Sequence, residues 1–150
     1  MAYEGEELLF CPAQPFAWED AYGVVVSGAW FNPYNHMLLN TGGVGGWYFQ
    51  VAGVHTRPRY MDEAGYQRYL HETGKTELRR FPLHLTNPAG AQLKLEELTA
   101  RPWTWWMVRH NCETFVEEIV RAGGGRPIHS GWFYFPKDSR QQTPGATGSW

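Results

Sequence analysis

Apolar and polar residues along the first third of the chain follow patterns that predict short β-strands. Residues 22–30 are rich in β-branched and aromatic side chains, and residues 36–40 form a second short apolar run. A glycine-rich stretch at 41–46 then leads into residues 47–55, the strongest strand candidate in the sequence. Because a glycine turn joins two strand-like segments, 36–40 and 47–55 are predicted to form a β-hairpin. A shorter extended run is predicted at 7–10.

Helical periodicity is clearest in two later segments. Residues 62–71 predict a helix that starts at Asp62 as the N-cap and ends before Gly74. A second helix is predicted after Asn111, because apolar residues recur there at i, i+3, i+4, i+7 and i+8. These residues are Cys112, Phe115, Val116, Ile119 and Val120, and a run of three glycines ends the helix at 123–125.

The remaining segments give weaker patterns. Residues 81–85 and 103–108 are predicted to be extended, and residues 91–99 fit either a short helix or an extended arm. The sum of these elements predicts a single α+β domain with a small, largely antiparallel sheet packed on helices. We expect this domain to span residues 1–138 and to be followed by a loose tail at 139–150, which is polar and contains Gly and Pro.

Composition narrows the function classes. The chain has 150 residues and a net charge of −2, which is untypical of a general nucleic-acid binder. Eight residues each of Trp, Tyr and Phe supply material for a core and for an aromatic cleft. The two cysteines, Cys11 and Cys112, are too few for a disulfide-dense scaffold or a four-cysteine zinc site. They allow either one bridge or two free thiols.

The ends and apolar runs bear on location. The N-terminus is acidic and lacks the basic and apolar regions of a signal peptide, and the longest apolar runs are far too short to span a bilayer. We therefore expect a chain that is cytoplasmic where it is made and has no integral membrane segment. Export by a signal-independent secretion machine stays open. A cytoplasmic thiol is usually kept reduced, which disfavours a Cys11–Cys112 bridge.

Cys112 is the residue with the most evident chemistry. Asn111 is predicted to be the N-cap and Cys112 the first helical residue. Unpaired N–H groups at a helix N-terminus lower the pKa of a cysteine thiol and can stabilise an oxyanion. The position suits a nucleophile. It equally suits a small apolar residue buried on the inner face of the helix, because free cysteine is often buried.

A thiol nucleophile needs a base, usually histidine, and a polar group that orients that base. His36 opens one strand of the predicted hairpin and His55 closes the other, so the hairpin would bring them near each other. Taken alone, either one is better explained as a structural histidine than as a catalytic one. His110 lies too close in sequence to reach the thiol of Cys112 and is a candidate for substrate binding.

The string Asn-Cys-Glu-Thr-Phe-Val at 111–116, which opens a helix, resembles the nucleophile motif of lecithin:retinol acyltransferase-like proteins. These belong to the circularly permuted branch of the NlpC-type, papain-like thiol hydrolases. In that branch the catalytic histidine precedes the cysteine and lies on a strand. A second polar residue, often histidine, follows on the next strand. The similarity is at the level of motifs and runs from about residue 21 to residue 124.

The resemblance implies a permuted papain-like core with Cys112 as nucleophile, His36 as general base and His55 as the orienting third residue. The step from His36 to His55 is longer than is usual in the family, and Thr114 replaces a residue that is typically histidine in the acyltransferases. Five other polar residues are alternatives for the third role: Asp20, Asn35, Asn40, Gln50 and Glu113.

The expected activity is a cysteine hydrolase that cleaves an amide or ester through a thioester. A cell-wall peptide amidase or a delivered bacterial toxin are the specific forms, with a peptide or lipid-like substrate and no cofactor or metal. Substrate-binding roles are assigned to Tyr34, Trp106 and His110. Strand alternation places Trp106 on the side opposite Trp103 and Trp105, where it would line a cleft. Tyr34 and His110 lie close in sequence to His36 and Cys112. The alternatives are a lipid acyltransferase or lipase and a catalytically silent binding module. The sequence identifies no partner or inhibitor protein.

Overall fold

The computed structural model describes residues 2–8, 16–28, 35–42, 46–51, 55–100, 103–104 and 111–126, with backbone alone at 55–56, 103–104 and 111–113. In this described part, strands β1 to β6 all precede the first α-helix, and an antiparallel sheet is combined with helices, which confirms the predicted α+β class. The strands are β1 (Glu6–Glu7), β2 (Ala21–Val26), β3 (His36–Thr41), β4 (Trp47–Gln50), β5 (His55–Thr56), β6 (Arg59–Met61), β7 (Glu77–Pro82) and β8 (Trp103–Thr104). The helices are α1 (Glu63–Thr73), α2 (Pro88–Thr99) and α3 (Asn111–Ala122), with a 3-10 turn at Trp18–Asp20.

The main sheet has six strands in the order β1-β6-β4-β3-β2-β7, and all of its pairs are antiparallel. The predicted hairpin is confirmed, because β3 pairs with β4 in a register that sets Leu39 opposite Phe49. Its second strand is shorter than predicted and ends at Gln50. The chain then changes sheets, since β5 pairs with β8 in a separate two-stranded ladder.

Both faces of the main sheet are covered, and alternation along the strands decides which side chain meets which helix. On one face Met37, Phe49 and other apolar residues pack in one cluster with residues of α2 and α3. On the opposite face Leu38 and Tyr48 pack with Tyr66 and Tyr69 of α1. The central strands are therefore buried on both sides, which explains their almost continuous apolar sequence.

The first two helices begin at capping residues. The Asp62 carboxylate accepts a hydrogen bond from the backbone N–H of Gly65 at 2.8 Å, so the predicted N-cap of α1 is confirmed. For α2 the ambiguity between helix and arm is resolved in favour of a helix. The Asn87 side chain accepts from the Gly90 N–H at 3.1 Å, and Pro88 occupies the first turn, where its missing N–H is harmless.

Several other boundaries also differ from the sequence predictions, and those of β7 and α3 matter most for the site. The strand predicted at 81–85 is β7, which begins at Glu77 and ends at Pro82, because its pairing with β2 selects the charged residues that precede the apolar run. Helix α3 begins at Asn111, which makes Cys112 the second residue of the helix and not the first. The predicted tail at 139–150 lies outside the described residues. Within the described part, no helix combines the length and apolar character needed to cross a bilayer.

A matched pair of substitutions on α2 tests the packing. Leu95 is fully buried and Leu93 is 65% exposed. We expect Leu95→Ala to lower the free energy of unfolding by about 2–5 kcal/mol, because it leaves a cavity, and Leu93→Ala to lower it by less than about 1 kcal/mol. Urea unfolding of both variants measures the difference. Equal losses would contradict the described orientation of α2.

Candidate active site at the start of β3

His36 is the first residue of β3, and strand alternation decides where its ring lies. Met37 faces α2 and α3, so its neighbours His36 and Leu38 point to the face that α1 covers. On the other side of β3 the register sets His36 opposite Val26, the last residue of β2. The ring is therefore at one end of the sheet, on the α1 face.

Gln50 is the direct partner of this ring. The β3–β4 register pairs Leu39 with Phe49, and its continuation by one residue places Gln50 beside Leu38, two residues from His36 on the same face. Long side chains can span such a diagonal. Nε2 of His36 lies 2.5 Å from Oε1 of Gln50. The amide nitrogen of Gln50 donates in turn to the backbone carbonyl of Glu4 at 2.8 Å. Both polar ends of the Gln50 amide are thus used.

This pairing fixes the tautomer of His36. Because the amide nitrogen of Gln50 donates to a carbonyl, its oxygen is the atom that faces the ring, and an amide oxygen can only accept. The Nε2 atom of a neutral His36 must then carry the proton and donate it to Gln50. The lone pair is left on Nδ1, which is the atom able to act as a base.

A pocket of about 160 Å³ lies beside the ring. Its walls come from the first described residues of the chain, from β3, from the end of β4, from α1 and from the residues after α1. Glu4 is its acidic residue and Lys75 its lysine. The lining residues are Glu4, His36, Gln50, Val51, Tyr69 and Lys75. A volume of this size suits a small polar group.

The surroundings keep His36 neutral. His36 is half-buried, and one side of its environment is the pocket, while the rest of the ring is surrounded by protein atoms. The pKa of His36 is lowered to about 4, first by burial and second by the positive charge of Lys75, while the hydrogen bond with Gln50 acts in the opposite direction. At pH 7 the ring is therefore the neutral, Nε2-protonated form.

Helix α3 presents its N-terminus to the same end of the sheet. Its other end is fixed near the start of α2, where the Asn87 N–H donates to the Gly123 carbonyl at 2.8 Å. Asn87 follows the end of β7, and Pro82 there lies opposite Tyr22, at the end of the sheet remote from His36. Because α3 also contacts β3 and β4, we infer that it runs along them and that its first turn, with Cys112, lies toward the end where β3 begins.

The predicted site residues divide into three groups. His36 is at the site, and Cys112 is in the first turn of α3, whose apolar residues Phe115 and Val116 pack on the opposite face of the sheet from His36. His55 lies in β5 opposite Thr104, so it is not a partner of His36 in the β3–β4 ladder. The remaining predicted residues, Tyr34, Trp106 and His110, lie outside the described residues.

Among the alternatives for the third role, Gln50 is the one whose bond to His36 is described. Asn40 instead donates to the Trp47 carbonyl and accepts from Arg80, and the carbonyl of Asp20 accepts from Gly42, both at the far end of β3. Asn35 directly precedes His36, and the side chain of Glu113 is outside the described part. The alternation of side chains along the predicted hairpin is the sequence signal that could have placed Gln50 on the same face as His36.

Sequence reasoning missed the rest of the pocket. Glu4, Tyr69 and Lys75 come from segments far apart in the chain, and no local pattern connects them with His36. Tyr69 is buried on α1, and Lys75 follows the glycine that ends this helix. In the described part of the chain, no cluster of three or more His, Cys, Asp or Glu residues is arranged to hold a metal ion.

The lowered pKa of His36 predicts a pH-dependent stability. The unfolded chain protonates His36 near pH 6.5 and the folded one near 4, so folding is favoured above 6.5 and this advantage is lost as pH falls to 4. Between pH 7 and 4, we expect wild type to lose about 2–3 kcal/mol more unfolding free energy than His36→Gln. Urea unfolding across this range measures the difference. His71→Gln, at an exposed position of α1, should behave like wild type. Parallel curves for wild type and His36→Gln would contradict the buried, neutral ring.

No protein-family model, no curated protein and no solved structure matches the chain. Membership of the permuted NlpC-type hydrolases is thus a prediction from the motif at 111–116 and from the order of His36 and Cys112 along the chain.

Proposed function

We propose that the protein is a cysteine hydrolase that cleaves an amide or ester, with Cys112 as nucleophile and His36 as general base. The observation that carries the proposal is the hydrogen bond from His36 Nε2 to Gln50 Oε1. A base in a nucleophile–base pair needs a third group that fixes its tautomer and ring orientation. Gln50 does this for His36, so we assign the orienting role to Gln50 in place of His55.

In the proposed mechanism, Nδ1 of His36 takes the proton of the Cys112 thiol as the sulfur attacks the substrate carbonyl. The backbone N–H groups of the first turn of α3 stabilise the negative oxygen of the tetrahedral intermediate. His36 then returns the proton to the leaving amine or alcohol, which leaves a thioester. Water attacks the thioester with His36 again as base, and this releases the acid and the free thiol.

The low pKa of His36 favours proton removal during the attack over a stored thiolate–imidazolium pair. A stored thiolate–imidazolium pair requires a histidine that is readily protonated at neutral pH. His36, with a pKa of about 4, is neutral there and suits proton removal during the attack. The acid limb of the pH–rate profile is therefore expected near pH 4, provided the neutral ring is the active form.

The substrate class follows from the resemblance. Peptide amides of the cell wall are the first substrates to test, since relatives of the permuted NlpC-type branch cut such bonds. A short-chain ester separates this activity from that of a lipase or lipid acyltransferase. Tyr34, Trp106 and His110 keep their proposed roles in substrate binding, and the toxin hypothesis applies to the same chemistry delivered to another cell.

A second candidate is a catalytically silent binding module, and one observation favours it. The ring of His36 points to the face covered by α1, whereas the apolar residues of α3 pack on the opposite face. A thiol in the first turn of α3 would have to reach the ring around the end of β3. If it does not, the pocket beside His36 is a binding pocket for a small polar group.

Thiol labelling tests the proposal. We expect iodoacetamide at pH 7 to label Cys112 faster than Cys11, because a base accelerates only the former. His36→Ala should slow labelling of Cys112 by roughly tenfold or more, and Gln50→Ala should slow it less. Mass spectrometry of timed samples measures both rates.

Two matched variants make the test specific. Cys11→Ala should leave labelling at Cys112 unchanged, and His71→Ala, which removes an exposed histidine, should behave like wild type. Hydrolysis of purified cell wall or of the ester should disappear in Cys112→Ala. Equal labelling of both thiols, unaffected by His36→Ala, would contradict the hydrolase and favour the binding module.

A further inference from the structure

The first described residues of the chain lie across the α1 face of the sheet, next to His36. Glu6 and Glu7 form β1 and pair with Tyr60 and Arg59 of β6. We define the N-terminal segment as residues 3–7. It connects the edge of the sheet with α1, because the backbone N–H of Tyr3 donates to the Glu72 carboxylate at 2.9 Å.

Two backbone carbonyls of this segment point into the sheet. The Glu4 carbonyl accepts from Nε2 of Gln50 at 2.8 Å, and the Gly5 carbonyl accepts from Nη1 of Arg59 at 3.1 Å. Gln50 and Arg59 are opposite each other in the β4–β6 ladder. The N-terminal segment thus accepts hydrogen bonds from two neighbouring strands, and one of the donors is Gln50, the partner of His36.

We propose that the N-terminal segment is a positioning element, which fixes the protonated nitrogen of His36 through the Glu4 carbonyl and the Gln50 amide. A primary amide can turn by half a rotation and exchange its oxygen and nitrogen. The Glu4 carbonyl accepts only from the nitrogen, so it holds the oxygen toward His36. Without this carbonyl, the turned amide would donate to Nε2 of His36, and the ring would carry its proton on Nδ1.

The consequence concerns the atom that acts as a base. With the proton on Nε2, the lone pair of His36 is on Nδ1, and with the proton on Nδ1 this atom has no lone pair to offer. Displacement of the N-terminal segment would therefore weaken the proposed base, because it lowers the population of the Nε2-protonated ring while His36 stays in place. This consequence for activity rests on the proposed function, whereas the effect on the tautomer does not.

Gly5 is the point where the segment can be displaced by one substitution. Its φ of +96° is a backbone conformation that other residues rarely adopt, and an added Cβ would lie 3.0 Å from the Tyr60 carbonyl oxygen. Gly5→Ala should therefore shift the chain between the two carbonyls that contact Gln50 and Arg59. Gly124, with φ of +75°, is a control of the same backbone type that lies just after α3, where an added Cβ would overlap the Thr86 hydroxyl and strain the chain away from Gln50.

The measurement is the long-range ¹H–¹⁵N spectrum of the histidine rings at pH 7, which separates the two neutral tautomers. His36→Gln assigns the signal. We expect His36 in wild type to be the Nε2-protonated form, and Gly5→Ala to lower the ratio of the Nε2-protonated to the Nδ1-protonated form by about fivefold, the worth of one neutral hydrogen bond. Gly124→Ala should leave the ratio unchanged.

A milder variant keeps the test decisive if Gly5→Ala does not fold. Glu72→Ala removes the carboxylate that holds the Tyr3 N–H at an exposed position, and a smaller change of the ratio in the same direction is expected. An unchanged ratio in the folded variants would overturn the proposal, and so would a change of equal size in Gly124→Ala. Because the spectrum needs no substrate, it can support the positioning role even where the thiol labelling experiment refutes the hydrolase.

Discussion

Strict alternation along β3 is the constraint on which the rest of the structure depends. This strand is central in the sheet and is buried on both faces, so each of its side chains belongs either to the α1 layer or to the layer of α2 and α3. A register shift of one residue would move every side chain of β3 to the other face of the sheet and disrupt the packing against both helix layers. The same alternation that buries Met37 and Leu39 against one layer directs His36 into the other.

The placement of His36 also determines its chemistry. A ring that lies within a covered face loses hydration, and the adjacent lysine adds a like charge when the ring is protonated, so the neutral form prevails. The neutral ring then needs a partner for its single N–H, and the hairpin register supplies Gln50 on the diagonal. Tautomer, pKa and orientation thus follow from one register and one amide, which is in turn held by a carbonyl near the N-terminus.

Those parts of the fold that depend on local pattern could be predicted from the sequence. Asp62 and Gly74 mark the ends of α1, the glycine turn marks the β3–β4 hairpin, and the apolar spacing after Asn111 marks α3. The extent of β7 could not be predicted, because pairing with β2 decides it and its own apolar residues do not. Likewise α2 became a helix through the cap at Asn87 and through burial against the sheet.

For the candidate site, motif and order in the sequence indicate His36 and Cys112 as candidates. The choice between His55 and Gln50 could not be made from the sequence, because it depends on where β4 ends and on the pairing of β5 with β8. Lys75 and Glu4 reach the pocket only through the docking of α1 and of the N-terminal segment. Such long-range contacts leave no periodic signal in the sequence.

The central claim is that His36, held by Gln50, and Cys112 of α3 form one site around the end of β3. A crystal structure of the protein measures this directly as the distance between Nδ1 of His36 and Sγ of Cys112. The account predicts hydrogen-bond reach, within about 4 Å, with Nε2 still bonded to Gln50. A sulfur atom separated from the ring by the sheet, more than about 6 Å from either ring nitrogen, would contradict it.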